Sequence, residues 1–346
     1  MAKAVKLADI AERVGVSTVT VSKALSGQKG VSEEMRERIK QLAEELGYKQ
    51  PSAAREESIR RKSYNIGVLI HENYLDKYDS FYWQIYQQVS VCALAKECFT
   101  LMEVVSRRTE EQKEMPKLLK EQKVQGVIVI GKMSGEFLKM LKTSGGLPVV
   151  YLDFSDEEPE TDAVISDSYY GAYSLTKYLL SQGHRRIAYV GTLLATGSIT
   201  DRYLGYTKAL LESGLNPRED WQLNDRDREN GMIDEELLQL PADMPTAFFC
   251  NCDLTAGKLI QKLKSKGLRV PEDVSVAGFD NYIYPGSCDV EITTYEVDQR
   301  AMANQAVKIL IKRMGKESCR WGTRIVEGRL VIKDSVKRIE KSEAEG

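Results

Sequence analysis

The chain has 346 residues, of which 42% are hydrophobic and 29% charged, with a formal net charge of −2. That size and balance predict a folded protein of two or three domains and exclude an intrinsically disordered chain. No apolar run approaches the roughly 20 residues of a membrane-spanning helix, and Cys92, Cys98, Cys250, Cys252, Cys288 and Cys319 form no disulfide-like framework. The charge is unevenly spread: residues 1–62 hold 13 Lys+Arg against 9 Asp+Glu, a net of +4, whereas the remainder holds 36 against 42, a net of −6. A basic N-terminal segment on an acidic body fits DNA binding by the former.

Residues 6–25 predict two short helices around a tight turn. Leu7, Ile10, Ala11 and Val14 fall at helical spacing. Gly15 stops that helix, because glycine tolerates the left-handed backbone of a sharp turn. Ser17 caps the next one. Val21, Ala24 and Leu25 give the second helix a buried side; Thr18, Val19, Ser22 and Lys23 lie on the other side, with Thr20 near its edge. Small polar groups and one cation at a helix start suit a DNA major groove. Many glycine-turned hairpins bind nothing, and the pattern alone leaves that reading open. Ser32 caps a third helix with Glu33 and Glu34 in its first turn, and Ile39, Leu42 and Leu46 complete a small core. Gly47 ends that helix, and the polar stretch 50–63 reads as a hinge.

From Tyr64 strands and helices alternate. Strands are predicted at 66–70, 100–105, 126–131, 148–153, 163–167, 186–191, 247–251 and 274–280. Helices are predicted at 81–96, 110–122, 134–143, 169–182, 200–213, 232–239, 254–266 and 298–314. Residues 221–231 carry little pattern, and 322–333 reads as a terminal hairpin. Such alternation implies βαβ units and parallel sheets.

Asp9-Ile-Ala, Val14-Gly-Val-Ser and Thr20-Val-Ser-Lys-Ala-Leu-Ser26 resemble the head-piece signature of the lac repressor (LacI/GalR) family of bacterial regulators. Val31-Ser-Glu-Glu, Arg36, Ile39 and Leu46-Gly-Tyr48 are similar to that family's third helix, and Gly183–Gly191, Arg202–Tyr206 and Gly267–Asp280 follow its phrasing. The resemblance implies a small all-α helix-turn-helix head (1–49), a hinge (50–63) and an α/β two-lobed, periplasmic-binding-protein-like effector domain (64–340). The near lobe would take about 64–163 and 297–322, and the far lobe about 164–293 and 324–340. Crossings between lobes would fall near 162–165, 292–297 and 321–326.

The implied function is sequence-specific transcriptional repression, with operator affinity set by a sugar or polyol bound between the lobes. For DNA, Thr18, Val19 and Lys23 are the expected base readers; Ser17, Thr20 and Ser22 the phosphate contacts; Arg55 a hinge contact to the minor groove or backbone. In the family the hinge folds on the operator and wedges a leucine into the minor groove. Glu57 stands at that position here, Pro51 sits one residue late, and Ile59 is the alternative wedge.

Ligands of open α/β sheets sit at the carboxyl ends of strands. His71, Asp153, Asn251 and Asp280 occupy such ends, and by resemblance Asp153, Arg202 and Asp280 fall where family members contact the effector. Two carboxylates and a guanidinium suit vicinal hydroxyls, which both donate and accept. Phe81 and Tyr82, with Trp83, resemble aromatic contacts to sugar or base faces, although core packing is the better reading for at least one of the three. Tyr74, in the loop before them, reaches toward the cleft mouth. Cys252 stands where the family has asparagine, which shifts the expected amide contact to Asn251. Asp253 is read first as an N-cap, and His184 as structural.

No metal or cofactor is expected, since Cys250 and Cys252 have no second pair nearby. The chain's start, which leads directly into the first helix, predicts a cytoplasmic, nucleoid-associated protein without membrane contact. The partners expected are near-palindromic double-stranded DNA, a carbohydrate effector and a second copy in a homodimer, the tail 335–346 having no heptad for a tetramer. A sugar-scavenging or transport protein and an α/β enzyme are the competing readings. The intact head argues against the first, and the absence of a G-x-S-x-G, a phosphate loop or a paired His–carboxylate motif gives the second nothing to rest on.

Overall fold

The computed structural model describes residues 5–25, 28, 30–46, 48, 63–75, 80–156, 158–229, 231–282 and 289–340, and the elements below are those of these residues. Gly47 and the hinge residues Pro51, Arg55, Glu57 and Ile59 lie outside them. Contacts divide the chain into two units, Met1–Ser63 and Tyr64–Gly346.

In the first unit, α1 (Leu7–Val14), α2 (Thr18–Leu25) and α3 (Glu33–Glu45) enclose a core of Ile10, Ala11, Val21, Ala24, Ile39 and Ala43. Gly15 takes φ +75°, and its N–H donates to the Ala11 carbonyl, closing α1. Ser17 Oγ accepts from Thr20 N at 3.1 Å, and Ser32 caps α3 through Met35 N. Arg36 of α3 donates to the carbonyls of Ala24 (3.2 Å) and Gln28 (2.9 Å). A side chain from the third helix thus satisfies the C-terminal end of the second, which fixes where α2 stops and how it lies on α3.

The second unit holds two parallel sheets. The first contains β1 (Asn65–His71), β2 (Phe99–Val105), β3 (Gly126–Ile130), β4 (Val149–Leu152), β5 (Asp162–Ser166) and β11 (Gly322–Val326), in the order β11-β5-β4-β3-β1-β2. The second contains β6 (Ile187–Val190), β7 (Gln222–Leu223), β8 (Ala247–Cys250) and β9 (Ser275–Ala277), in the order β7-β6-β8-β9. A two-stranded antiparallel ribbon, β10 (Thr294–Glu296) with β12 (Arg329–Val331), accompanies them. In each sheet the first strand lies one in from an edge: its successor forms that edge and the next strand lies on its other side. The order reverses between β1 and β3, and between β6 and β8. Crevices at the carboxyl ends of strands open at such reversals.

The helices follow the predicted spans to within a few residues: α4 (Phe81–Leu94), α7 (Gly135–Gly145), α8 (Ser168–Ser181), α9 (Gly197–Glu212), α10 (Asp253–Ser265) and α11 (Gln299–Met314). Helix α11 packs on α4 and on β3, β4 and β5, so it belongs with the first sheet.

Four expectations are corrected. Residues 110–122 form two short helices, α5 (Arg107–Glu111) and α6 (Lys117–Lys120). Pro116 cannot continue a helix interior, and the Glu103 carboxylate accepts from Lys117 N and Leu118 N, both at 2.8 Å, starting α6 afresh. Residues 232–239 are not helical; Asp227 N donates to Met232 O and Asp234 N to Asp225 O, each at 2.9 Å, folding the segment back on the loop before it. Residues 322–333 are not a hairpin, because β11 pairs in parallel with β5 while β12 pairs with β10. The lobe boundaries expected at 163/164 and 322/324 therefore fall inside β5 and β11, both of which run whole within the first sheet; the chain leaves that sheet at Asp167 and between Val326 and Arg329.

Asp162, fully buried, ties β5 to its neighbours. Its carboxylate accepts from Arg313 Nε of α11 at 2.7 Å and Arg324 Nη1 of β11 at 2.8 Å. Removing its charge leaves the buried Arg313 guanidinium without a counter-ion and Arg324 with backbone acceptors alone, the costly way to break a buried ion pair. Asp162→Asn should lower the unfolding free energy of the Tyr64–Gly346 unit by about 3 kcal/mol in urea denaturation. A loss below about 0.5 kcal/mol would show that the pair contributes no net stability.

Candidate functional site

Two surfaces carry the candidate residues. In the head, Ser17, Thr18, Val19, Ser22 and Lys23 are exposed on one side of α2 and Thr20 is half-buried at its edge. Val19 exposes 61% of its surface, an apolar contact on an otherwise polar face. Val21 and Ala24, on the opposite side, are buried. Arg55 lies outside the described residues.

The second surface lies at the carboxyl ends of both sheets in the larger unit. Asp153 follows β4 with φ +70°, in the left-handed region that a non-glycine residue occupies at a cost of order 1–3 kcal/mol. It is half-buried, and the Tyr82 phenol stands near its carboxylate. Tyr82 lies 4.5 Å, ring to ring, from Tyr74. Tyr74 packs flat on Gly131, where an added Cβ would come within 2.6 Å of the ring, and its hydroxyl donates to Lys132 O at 3.0 Å.

The facing groups come from the second sheet. Arg202 of α9 is buried; it donates to the Asn251 carbonyl, pairs with Asp280 at 3.2 Å and sits 3.8 Å above the Phe279 ring. Asp280 also has a left-handed backbone, φ +100°. Beside this pair lies a network that sequence reasoning missed. Arg226 pairs with buried Asp225 at 2.7 Å and donates to Asn251 Oδ1 at 2.9 Å. Asp225 further accepts from Asn251 Nδ2 (2.7 Å), Thr255 Oγ1 (2.6 Å) and Thr192 N (2.9 Å). Burial alone would raise the Asp225 carboxyl; the Arg226 charge and these donors outweigh it and hold it below its ordinary value. The missed residues lie in the poorly patterned stretch 221–231, where β7 is too short to show a period. An adjacent acid and base directly after a strand was the available signal.

Three expected ligand residues prove to be occupied. The Asn251 amide spends its donors on Val190 O and Asp225 and its acceptor on Arg226, so it orients the Arg226–Asp225 pair rather than facing open space. His71 is buried; its Nδ1 accepts from Asn73 N, and Nε2 lies 3.2 Å from Glu110, whose other oxygen accepts from Ser134 N. It knits three loops at the strand ends. Phe81 is buried, edge-on to Tyr82 at 5.5 Å and to Tyr282 at 6.4 Å, and packs the base of the crevice. Asp253 does not cap its own helix: its carboxylate accepts from Tyr282 N at 2.9 Å and so holds the turn that carries Asp280. His184 is buried between Thr246 Oγ1 and Lys337 O and, as expected, structural; burial lowers it to about 4.

Burial pushes Asp153 up to about 7, with the Asp280 charge adding to it against Arg202 and Tyr82. Burial likewise raises Asp280 to about 6, against Arg202 and Arg226. Both carboxyls thus hold protons in the folded chain at pH values where the unfolded chain has lost them. Ligand-free stability should therefore fall as pH rises from about 4 to about 7, then level off. Asp153→Asn removes the larger share. At pH 8 the variant should exceed the wild type by roughly 1–3 kcal/mol in urea denaturation, the gap closing toward pH 4. A variant less stable than wild type at pH 8 would contradict this.

Comparison with known proteins adds a family. Residues 6–51 match the profile of bacterial regulatory proteins of the lacI family, and residues 176–336 that of the periplasmic binding protein-like domain. The HTH-type transcriptional repressor PurR of Aliivibrio salmonicida (strain LFI1238) is 30% identical over 88% of this chain and 91% of its own length. Among solved structures, the transcriptional regulator CelR–cellobiose complex superposes with TM-score 0.68 at 24% identity, covering 96% of this chain and 99% of that one. The lac repressor dimer bound to operator and the anti-inducer ONPF superposes with TM-score 0.64 at 24% identity, covering 97% and 100%. These structural likenesses establish the fold, a helix-turn-helix head with a two-lobed α/β body. The chain belongs to the lacI family of bacterial regulatory proteins, and it is a DNA-binding transcriptional repressor rather than an enzyme.

Proposed function

We propose that the chain binds a near-palindromic operator as a homodimer in the cytoplasm, and that a sugar or polyol in the crevice between the two sheets sets its operator affinity. The observation that supports the effector class is the donor–acceptor set at the strand ends. Asp153, Asp280, Tyr82 and Arg226 converge from both sheets on one crevice, offering carboxylate acceptors, a phenol and a guanidinium. Vicinal hydroxyls donate and accept, so each can pair with members of such a set. Arg202 positions Asp280, and Asn251 positions Arg226. His71 and Phe81 support the crevice from behind.

The test is a thermal-shift screen against monosaccharides, disaccharides, polyols, sugar phosphates and purine bases. A ligand at 100 times its Kd should stabilise the protein by about 2.7 kcal/mol. A carbohydrate response that disappears in Asp280→Asn supports the reading. A response confined to purine bases would replace the effector class.

On DNA, the exposed face of α2 reads the sequence: Val19 against thymine methyls, Lys23 toward guanine O6 and N7, Thr18 beside them, with Ser17, Thr20 and Ser22 on phosphates and Arg55 from the hinge. One head buries little surface, so useful affinity requires two half-sites and hence two copies. Lys23→Ala should weaken operator binding by 1–3 kcal/mol, roughly 5- to 150-fold in gel shift, and relax preference at one base pair per half-site. Equal weakening on operator and random DNA would show that Lys23 contacts phosphate alone.

A further inference from the structure

We infer that the effector carries a basic nitrogen, an amino group on a polyhydroxylated frame, that pairs with Asp153. The inference rests on the carbohydrate reading above and narrows it.

Its basis is an imbalance of charge in the crevice. Each guanidinium there already has a carboxylate of its own: Arg202 pairs with Asp280 at 3.2 Å and Arg226 with Asp225 at 2.7 Å. Asp153 forms no ion pair among the described residues; its polar neighbours are the neutral Tyr82 phenol and Arg202, which is already paired with Asp280. Three carboxylates thus face two cations. A fourth acid, Asp253, lies behind Asp280, where burial and the Asp280 charge raise it far above the carboxylate range. A half-buried carboxylate without a counter-ion is unfavourable, and its strained φ of +70° makes it more so. Both costs mark a group held ready for a partner that comes from outside.

An ammonium fits that place better than a hydroxyl. It brings the missing positive charge and three donors, and charge-assisted hydrogen bonds are roughly twice as strong as neutral ones. The surroundings favour the same sign. Tyr74 and Tyr82, in ring contact with each other at 4.5 Å, both lie close enough to Asp153 to feel its charge, and aromatic rings attract cations. An effector bearing phosphate or carboxylate at this end would meet Asp153 as a like charge and be rejected. The raised affinity of Asp153 for protons has the same origin, since a proton is the simplest cation that can occupy the place.

Isothermal titration calorimetry on the full chain at pH 7 and moderate salt tests this with matched pairs: glucosamine against glucose, galactosamine against galactose, and 1-amino-1-deoxysorbitol against sorbitol. N-acetylglucosamine serves as the uncharged amide control, glucuronate as the acid, and adenine and hypoxanthine as purines. For at least one pair the amine should bind ten-fold or more tightly than its neutral partner, and acetylation should remove the advantage. Asp153→Asn should bring the pair to equal affinity while Asp153→Glu retains part of the preference; unfolding midpoints of both variants without ligand verify that they are folded. A neutral sugar or glucuronate binding as tightly as the amine overturns the inference and leaves the carbohydrate reading standing. Binding of the purines alone, or of no member of the set, overturns both.

Discussion

The crevice depends on the buried guanidinium of Arg202. It reaches from α9 to the end of β8 through the Asn251 carbonyl, to the loop after β9 through Asp280, and stacks on Phe279. A buried charge is tolerated only where it is paired and hydrogen-bonded, so these three segments must keep their relative positions for the fold to close. The same requirement fixes Asp280, whose left-handed backbone no local preference supports. Asp253 secures the turn from beneath through Tyr282 N, and the adjoining Arg226–Asp225–Asn251–Thr255 network fixes the loop after β7. One half of the crevice is therefore held mainly by buried, paired polar groups. The other half, with Asp153 and the tyrosines, is held by packing and carries the unpaired carboxylate.

The body's connectivity provides what a ligand-responsive device needs. The chain leaves the first sheet after β5, returns through β10 into α11, and leaves again after β11. Each sheet keeps its own core, while a third hydrophobic cluster runs through residues of both. A ligand that touches both halves contributes differential free energy to whichever arrangement brings them together, and that difference is the sole source of any allosteric shift. Phe81 against Tyr282 shows that the two halves already share an aromatic contact, which a bound molecule would extend.

The head and the βαβ alternation were legible in the sequence because both are written in short-range periodicity. Leu7, Ile10, Ala11 and Val14 repeat at helical spacing, Gly15 and Ser17 punctuate, and each buried strand of the body is a continuous apolar run. What failed was non-local. Residues 322–333 look like a hairpin because two strands follow each other closely, yet β11 finds its partner some 160 positions earlier in β5. Residues 232–239 have helical composition but are captured by backbone bonds to the Asp225 loop. Candidate residues could be named where a strand end announced them, as at Asp153 and Asp280. His71 and Asn251 sit at equally good strand ends, yet the Asn251 amide and His71 Nδ1 are used within the fold. No local signal separates a donor that faces a ligand from one that faces a neighbour, and Arg226 was hidden because the strand before it is two residues long.

In the proposed mechanism, occupation of this crevice changes affinity for DNA. The most direct measurement is operator binding by fluorescence anisotropy across a titration of the stabilising small molecule, with wild type and Asp280→Asn side by side. The account predicts a change in operator Kd of at least five-fold for the wild type, the lower end of typical coupling free energies, and none for the variant at the same ligand concentrations. An operator Kd independent of a ligand shown to occupy the crevice would contradict it.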